Sequence, residues 1–174
     1  GFAQKLFWER NGKQSSLLKS KKKSQWKVLE KLLQKGRLLP IDVYFAEEFL
    51  PSDSDEAIAA LLCHMMFAAR EGHLCLRRHE EGITPDPRLS WLSAYDEDGV
   101  DEAFEKDLVE LEKGMLDSWN LIPDHLCSNS SDEKIRPIVQ SGGSLYLQRN
   151  WVYETIFIDG LRATLEEKPE IDID

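Results

Sequence analysis

The segment from residue 57 to residue 70 constrains the fold of this chain more than any other, because it is apolar on nearly every side. Its sequence, AIAALLCHMMFAAR, contains His64 and the terminal Arg70 as its polar members. A surface helix needs a polar side facing water, so a helix with this pattern is predicted to lie at the centre of the domain. Asp55 is a suitable N-cap for this helix, and Gly72 is predicted to end it.

Four further segments show the spacing of apolar residues that is typical of amphipathic helices. They are predicted to run from Gln25 to the residue before Gly36, from Asp42 onward, from about Asp101 to Asn120, and from Val152 to Glu167. The residues of the first three that are expected to face the core are Trp26, Leu29, Leu32, Leu33, Val43, Phe45, Ala46, Phe49, Phe104, Leu108, Leu111, Met115 and Trp119. Because 41% of the residues are hydrophobic, the chain can build such a core.

Three short strands are predicted beside these helices. One is His73–Leu76, and the other two, residues 135–139 and 145–147, form a hairpin that turns at Ser141–Gly143. The glycines of that turn supply the positive φ that a tight hairpin requires. The predicted fold class is therefore α+β and mostly helical: a helix bundle with a small antiparallel sheet or hairpin, loosely similar to a winged helix.

The chain is predicted to consist of one domain between two tails. Residues 1–24, which include the lysine run Lys21–Lys23, are interpreted as a basic flexible arm. The domain is expected to cover residues 25–167, and residues 168–174 are interpreted as a linker that leads out of it.

Two polar loops are predicted inside the domain, at residues 80–101 and 123–134, because both are rich in turn-forming and charged residues. Trp91, Leu92 and Tyr95 are expected to hold the first loop against the body. No regular structure is predicted within either loop.

Charge is distributed unevenly along the chain, whose net charge is −10. Residues 1–37 contain eleven Lys and Arg but two acidic residues, whereas the remainder contains 11 basic and 30 acidic residues. An acidic body disfavours nonspecific DNA binding, while a basic arm permits local contact with phosphates. This pattern leaves open an alternative function, a small winged-helix DNA-binding module that uses the arm and the hairpin.

The sequence predicts a protein of a reducing compartment that does not cross a membrane. The chain has three cysteines, Cys63, Cys75 and Cys127, in or near apolar segments, which favours buried thiols over a disulfide framework. It has no apolar run of about 18 residues, the length a transmembrane helix needs. A cytoplasmic location is therefore expected.

No catalytic or nucleotide-binding motif is found in the sequence. A phosphate-binding loop of the form G-x-x-x-x-G-K-[ST] is absent, and a strand rather than a helix follows Gly142 and Gly143. A G-x-S-x-G motif is absent as well. Adjacent acidic pairs such as Glu166 and Glu167 diverge on a helix and are interpreted as solvated surface. No catalytic residue and no bound cofactor are predicted for this chain.

A cluster of potential metal ligands is formed by Cys63, His64, His73, Cys75 and His79. Zinc sites usually contain closely paired ligands such as C-x-x-C, and that pairing is absent here. Cys63 and His64 are neighbours on a helix and point about 100° apart, so they do not readily share an ion. The cluster is therefore interpreted as structural, and no metal is predicted.

The segment that joins the last strand to the last helix is the least generic part of the sequence. It places two large aromatic residues, Tyr146 and Trp151, on either side of Arg149, with Glu154 in the first turn of the helix. A carboxylate at that position is favourable against the helix dipole and can pair with the arginine. These four residues are the candidates for a structural or partner-interface role.

Three stretches, taken in order, resemble one protein family. Residues 38–46, LLPIDVYFA, look like L-x-P-x-D-V-x-F-A; residues 71–76, EGHLCL, are similar to E-G-H-x-C-L; and residues 145–154, LYLQRNWVYE, match L-Y-L-x-R-x-W-x-x-E. These are motifs of the N-terminal domain of RecD, the alpha subunit of bacterial exodeoxyribonuclease V (RecBCD). The resemblance covers residues from about 25 to 160, whereas the loops between the motifs do not match.

The resemblance implies a part of a larger DNA-repair machine. In the RecD family this domain precedes two motor domains that hydrolyse ATP with Mg²⁺ and move along DNA from 5′ to 3′. The domain itself mainly docks the motor onto the gamma subunit RecC, next to the beta subunit RecB. The expected partners are thus a RecC-like and a RecB-like subunit, with DNA contacted mainly through the full complex. None of the family's catalytic motifs lies in this chain, so none is transferred to it.

Overall fold

The computed structural model describes residues 25–92 and 101–166, without the side chains of residues 151–157. Within those ranges the helices are α1 Lys27–Gln34, α2 Pro40–Phe49, α3 Glu56–Arg70, α4 Pro87–Trp91, α5 Glu102–Asp117, the 3₁₀ helix Ser118–Leu121, and α6 Gln148–Glu166. The strands are β1 Cys75–His79, β2 Gly82–Thr84, β3 Cys127–Asn129, β4 Ile138–Ser141 and β5 Ser144–Leu147. The predicted arm, the predicted linker and Tyr95 lie outside the described residues.

The strands form one mixed sheet in the order β2-β1-β5-β4-β3. All neighbours are antiparallel except β3 and β4, which are parallel. The turn between β4 and β5 is made at Gly142, whose φ is 57°, so glycine is the residue that fits there. The predicted fold class, α+β and mostly helical, is confirmed, although the sheet contains two more strands than the sequence predicted.

The β4–β5 hairpin lies inside the sheet. Strand β5 is paired with β1 on one side and β4 on the other, and β4 lies between β5 and β3. Both strands of the hairpin therefore have their backbone groups paired on both sides. A wing that reaches into a DNA groove has a free outer edge, which these two strands lack.

Helix α3 is the centre of the domain, as its apolar pattern predicted. It packs against α2, α5, β1 and β5. Its buried residues are Ala57, Ile58, Ala59, Ala60, Leu61, Leu62, Cys63, His64, Met65 and Ala68. The side chain of Asp55 caps its start by accepting a hydrogen bond from the Ala57 N–H at 3.0 Å.

Helix α1 is held on the body by a carboxylate from the first turn of α3. Glu56 Oε1 accepts hydrogen bonds from the N–H groups of Val28 at 2.6 Å and Leu29 at 3.0 Å. These are donors that a helix N-terminus otherwise leaves unsatisfied. Trp26 adds a bond from its indole Nε1 to the Ser54 carbonyl at 3.1 Å. Partial burial raises the pKa of Glu56 above its usual range.

Helix α5 crosses α3 at close range. Its predicted stripe of Phe104, Leu108, Leu111 and Met115, continued by Trp119 of the 3₁₀ helix, is buried as expected. At the crossing, a Cβ added to Gly114 would lie 2.7 Å from the Ala57 Cβ. Glycine at this position therefore allows the two helix backbones to approach.

The prediction for α2 was partly wrong. The helix begins at Pro40 rather than Asp42, because Leu39 is its N-cap and proline occupies the first helical position. Ala46 is buried as predicted, but Phe45 and Phe49 are half-buried, as is Val43. All three nevertheless pack against the hydrophobic core, beside the fully buried Asp42 and Ala46.

Regular structure also occurs where loops were predicted. Strand β2 and helix α4 lie within predicted loop 80–101, and β3 lies within predicted loop 123–134. The predicted strand at His73–Leu76 is shifted to Cys75–His79. Trp91 is buried as expected. None of the helices in the described ranges has the length and apolarity to cross a bilayer.

Candidate protein-interaction surface

Asp42 fixes helix α2 to the end of helix α3. Its carboxylate is fully buried and lies 3.0 Å from the Arg70 guanidinium, with a second contact to Arg70 Nε at 3.4 Å. It also accepts a hydrogen bond from the Leu39 N–H at 2.8 Å, which caps the start of α2. The aspartate of the first motif is thus a structural residue that sets the orientation of α2.

This orientation leaves part of the apolar surface of α2 in contact with solvent. Residues three, four and seven positions apart share one side of a helix. By that spacing, one side of α2 presents the four residues that we name the α2 face: Ile41, Phe45, Glu48 and Phe49.

The α2 face combines exposed apolar surface with one acidic side chain. Ile41 is 39% exposed, and the N-cap residue Leu39 beside it is 41% exposed. Phe45 and Phe49 are half-buried, and their rings meet edge to face with centroids 5.0 Å apart. Glu48 is exposed. The two rings also pack against the core, so the face is a partly exposed aromatic and aliphatic surface, of a kind found at protein interfaces.

The second and third motifs meet in the middle of the sheet. Leu76 of β1 is paired with Leu145 of β5, and Cys75 is paired with Tyr146. Asn150 Nδ2, in the first turns of α6, donates to the Leu74 carbonyl at 3.4 Å. A small apolar pocket lies beside this junction, and the Leu74 side chain at its rim is 54% exposed. The two motifs therefore build the connection between the sheet and α6.

The four residues predicted for an interface or structural role are not all described. Tyr146 is 8% exposed and belongs to the interior of the fold. Arg149 is exposed at the start of α6. The side chains of Trp151 and Glu154 lie outside the described residues, so the predicted pairing of Glu154 with Arg149 stays a prediction.

The predicted cluster of potential metal ligands is dispersed. Cys63 is buried in α3, and burial raises the pKa of its thiol well above the usual value. His73 is exposed, and His79 bonds the Thr84 hydroxyl through Nε2 at 2.7 Å. In residues 25–92 and 101–166, no three or more histidine, cysteine or acidic side chains form a group that could hold a metal.

His64 has a structural environment at the centre of α3. Its Nε2–H donates to the Pro85 carbonyl at 2.7 Å, because a carbonyl can only accept. The edge of its ring contacts Trp91, with centroids 5.4 Å apart. Burial lowers the pKa of His64 to about 4, so the ring is neutral at pH 7. The histidine ties the segment that contains α4 to the central helix.

Helix α6 presents a second exposed apolar surface, along its last turns. Ile158, Leu161 and Leu165 are 40%, 48% and 66% exposed. Their spacing of three and four residues places them on one side of the helix. All residues from 158 to 166 are exposed, so this part of α6 extends away from the body.

The α2 face and the exposed end of α6 differ in their relation to a known protein family. Residues 34–146, well over half of the chain, match the family described as the RecBCD enzyme subunit RecD, N-terminal domain. This chain belongs to the RecD N-terminal domain family. The resemblance drawn from the three motifs is thereby confirmed. A search of curated proteins finds no match.

The RecD-type segment contains the α2 face but not α6. Helix α6 begins at Gln148, after the matched residues end, and α1 precedes them except for its last residue. The interface or structural role expected for Tyr146, Arg149, Trp151 and Glu154 stays a prediction, and the sequence analysis did not single out the α2 face. The sequence does contain a signal for the start of α2. Proline at the first helical position, followed by aspartate at the third, marks Pro40 as the beginning of a helix.

Proposed function

We propose that this chain is the N-terminal assembly domain of a RecD-like ATP-dependent 5′–3′ DNA helicase subunit of exodeoxyribonuclease V. In this role it docks the motor onto the gamma subunit, RecC, during double-strand break repair and recombination in the cytoplasm. A RecB-like beta subunit completes the complex, and DNA is contacted mainly through the whole assembly. ATP and Mg²⁺ are bound by motor domains outside this chain.

The observation that carries the proposal is the exposure of the α2 face within the family-matched segment. A helix that lies on a domain normally turns its apolar residues inward. Helix α2 packs Phe45 and Phe49 only partly against the core and leaves Ile41 at the surface. Aromatic and aliphatic side chains that lose their remaining solvent contact on binding are typical interface anchors.

The DNA-binding alternative has less support. It requires a projecting hairpin, but β4 and β5 are inner strands of the sheet. It also requires a basic face on the body, whereas the sequence after residue 37 has 11 basic and 30 acidic residues. Repulsion between such a body and phosphates weakens binding, so an assembly role fits the charge distribution better.

Binding of the chain to a purified RecC-type gamma subunit tests the proposal. Ile41→Asp on the α2 face is expected to weaken the complex about tenfold or more, because it places a charge in the apolar contact. The matched control is Ile158→Asp on α6, since these two isoleucines have nearly equal exposure, 39% and 40%. The control should bind as the unmodified chain does.

Three results would contradict the proposal. The first is the absence of binding between the unmodified chain and the gamma subunit; tight binding to duplex DNA that weakens steeply with salt would then indicate a DNA-binding module. The second is a loss of gamma-subunit binding in the Ile158→Asp variant with no loss in Ile41→Asp. The third is tight binding or hydrolysis of ATP by the chain itself.

A further inference from the structure

Glu48 occupies an electrostatically unfavourable position in this fold. It lies in the last turn of α2, which contains no basic residue, and a second acidic residue, Glu47, precedes it. The carbonyl groups at a helix C-terminus give that end a partial negative charge, so a carboxylate there is repelled. A cation at the same position would stabilise the helix instead.

The residues around Glu48 do not compensate for this repulsion. Within residues 25–92 and 101–166, no ion pair involves Glu48. The loop that follows α2 adds further negative charge, with Asp53 and Asp55 both exposed. The isolated domain therefore keeps a carboxylate where its own structure disfavours one.

The position of Glu48 relative to the apolar residues supplies the second observation. Glu48 is three positions after Phe45 and seven after Ile41, so the carboxylate and both apolar residues belong to one side of α2. A partner that covers the apolar residues must also cover Glu48. Covering an unpaired carboxylate with apolar surface is costly, so the partner needs a cation at this point.

We infer that the α2 face is recognised by a protein surface in which a cationic side chain adjoins an apolar pocket. The pocket receives Ile41 and Phe45, and the cation pairs with Glu48. Arginine fits best, because its planar guanidinium can hold both carboxylate oxygens. This inference rests on the proposed docking function and adds to it the chemistry that selects the partner.

The test compares two charge reversals that change the net charge of the chain equally. Glu48→Lys lies on the α2 face, whereas the control, Glu110→Lys, is at an exposed position of α5. Affinity for a purified RecC-type gamma subunit is measured at salt concentrations from about 0.05 to 0.5 M. Glu48→Lys is expected to weaken binding about tenfold at low salt and less at high salt, while Glu110→Lys binds as the unmodified chain does.

The melting temperature of the free chain separates recognition from folding. Because Glu48 opposes the helix dipole, Glu48→Lys is expected to raise that temperature by about 1–3 °C while it weakens the complex. A neutral variant, Glu48→Gln, should show a smaller loss of affinity, about threefold. A stabilised variant that binds less tightly cannot owe its defect to unfolding.

The outcomes distinguish this inference from the proposed function. If Ile41→Asp weakens binding but Glu48→Lys binds as tightly as Glu110→Lys, the inference is wrong and the docking function stands. An effect of Glu48→Lys that does not decrease at all with salt also overturns the inference, because a partly covered ion pair is still screened to some extent. If the unmodified chain does not bind the gamma subunit, both are wrong.

Discussion

The central helix α3 and the last helix α6 are both long, yet they differ in almost every physical respect. Ten of the residues of α3 are buried, and the helix packs against both other helices and the sheet. The residues of α6 from 158 onward are all exposed. Apolar residues occur in both helices, but they surround α3 almost completely, whereas α6 also contains many polar and charged residues.

The comparison shows that the surroundings of a leucine, rather than its identity, set its contribution to stability. In α3, apolar residues on every side force other elements to cover them. In α6, Ile158, Leu161 and Leu165 form a single stripe that the described residues leave open. Stability of the domain should therefore depend mainly on α3 and on the side chains that join it to neighbouring helices. Substitutions in the exposed part of α6 should change the free energy of unfolding little.

The largest effect is expected when the ion pair between Asp42 and Arg70, at the end of α3, is broken. Asp42→Ala removes the only carboxylate that the buried side of α2 offers to Arg70, and it also removes the cap on the Leu39 N–H. Asp42 is fully buried while a third of the Arg70 side chain stays exposed. The loss is therefore that of two hydrogen bonds to a buried carboxylate, about 3–5 kcal/mol of unfolding free energy together. Urea denaturation measures this loss, with the exposed Asp53→Ala as control. A loss below about 1 kcal/mol would show that α2 is held by other contacts.

Leucine truncation compares the two helices directly. Leu62→Ala in α3 removes a fully buried side chain and is expected to cost about 2–5 kcal/mol of unfolding free energy. Leu161→Ala in α6 removes one that is 48% exposed, and its cost should stay within about 0.5 kcal/mol. Equal costs, measured by urea denaturation of both variants, would mean that α6 is packed in solution.

The buried histidine of α3 makes stability depend on pH. The pKa of His64 is about 4 in the folded chain and 6.5 as its ordinary value, so the unfolded chain binds more protons between these limits. Its contribution is therefore complete above pH 6.5 and is lost as pH falls toward 4. Between pH 7 and pH 4.5 the loss is expected to be about 2–3 kcal/mol.

Variant His64→Leu isolates this contribution from that of the carboxylates. The variant should be less stable at pH 7, because the Pro85 carbonyl loses its donor. Its stability should also fall less between pH 7 and pH 4.5 than that of the unmodified chain. Parallel losses in the two proteins would show that His64 is not the group that titrates.

Two glycines give the smallest and most discriminating test, because the same substitution should have opposite effects. Gly114→Ala places a methyl group 2.7 Å from the Ala57 Cβ and should destabilise the α3–α5 crossing by about 1–3 kcal/mol. Gly160→Ala in α6 meets nothing within 4 Å and should stabilise the helix by up to about 1 kcal/mol. Melting temperatures that shift in the same direction would contradict the difference drawn between these helices.

The sequence predicted the elements whose own residue pattern shows which of their sides are buried or where they turn. Helices α3 and α5 were identified because a continuous apolar segment and a regular stripe leave few alternatives. The β4–β5 hairpin was identified because its turn contains two glycines. In each case the signal is local, and the structure confirms the element with small shifts of its ends.

The missed elements depend on contacts between distant parts of the chain. Strand β2 has three residues, of which Ile83 is buried, so no alternation can be detected. Helix α4 is attached by Arg88, whose Nε lies 2.6 Å from Glu112 Oε2, and by the bond between His64 and Pro85. Such pairings leave no periodic pattern in a single sequence.

The α2 face was not predicted from the sequence for a related reason. Asp42 looks like a solvent-exposed start of a helix until Arg70, distant in sequence, is seen to bury it. With Asp42 buried on the core side, Phe45 and Phe49 still pack against the core but stay half-buried, and Ile41 is exposed. A sequence pattern that assigns polar residues outward cannot predict this reversal.

Hydroxyl-radical footprinting of the chain, alone and bound to a RecC-type gamma subunit, tests the central claim most directly. The assembly role predicts that oxidation of Ile41, Phe45 and Phe49 falls on binding, while Leu161 and Leu165 remain as reactive as in the free chain. Protection of the two leucines of α6 with unchanged oxidation of the α2 residues would contradict it.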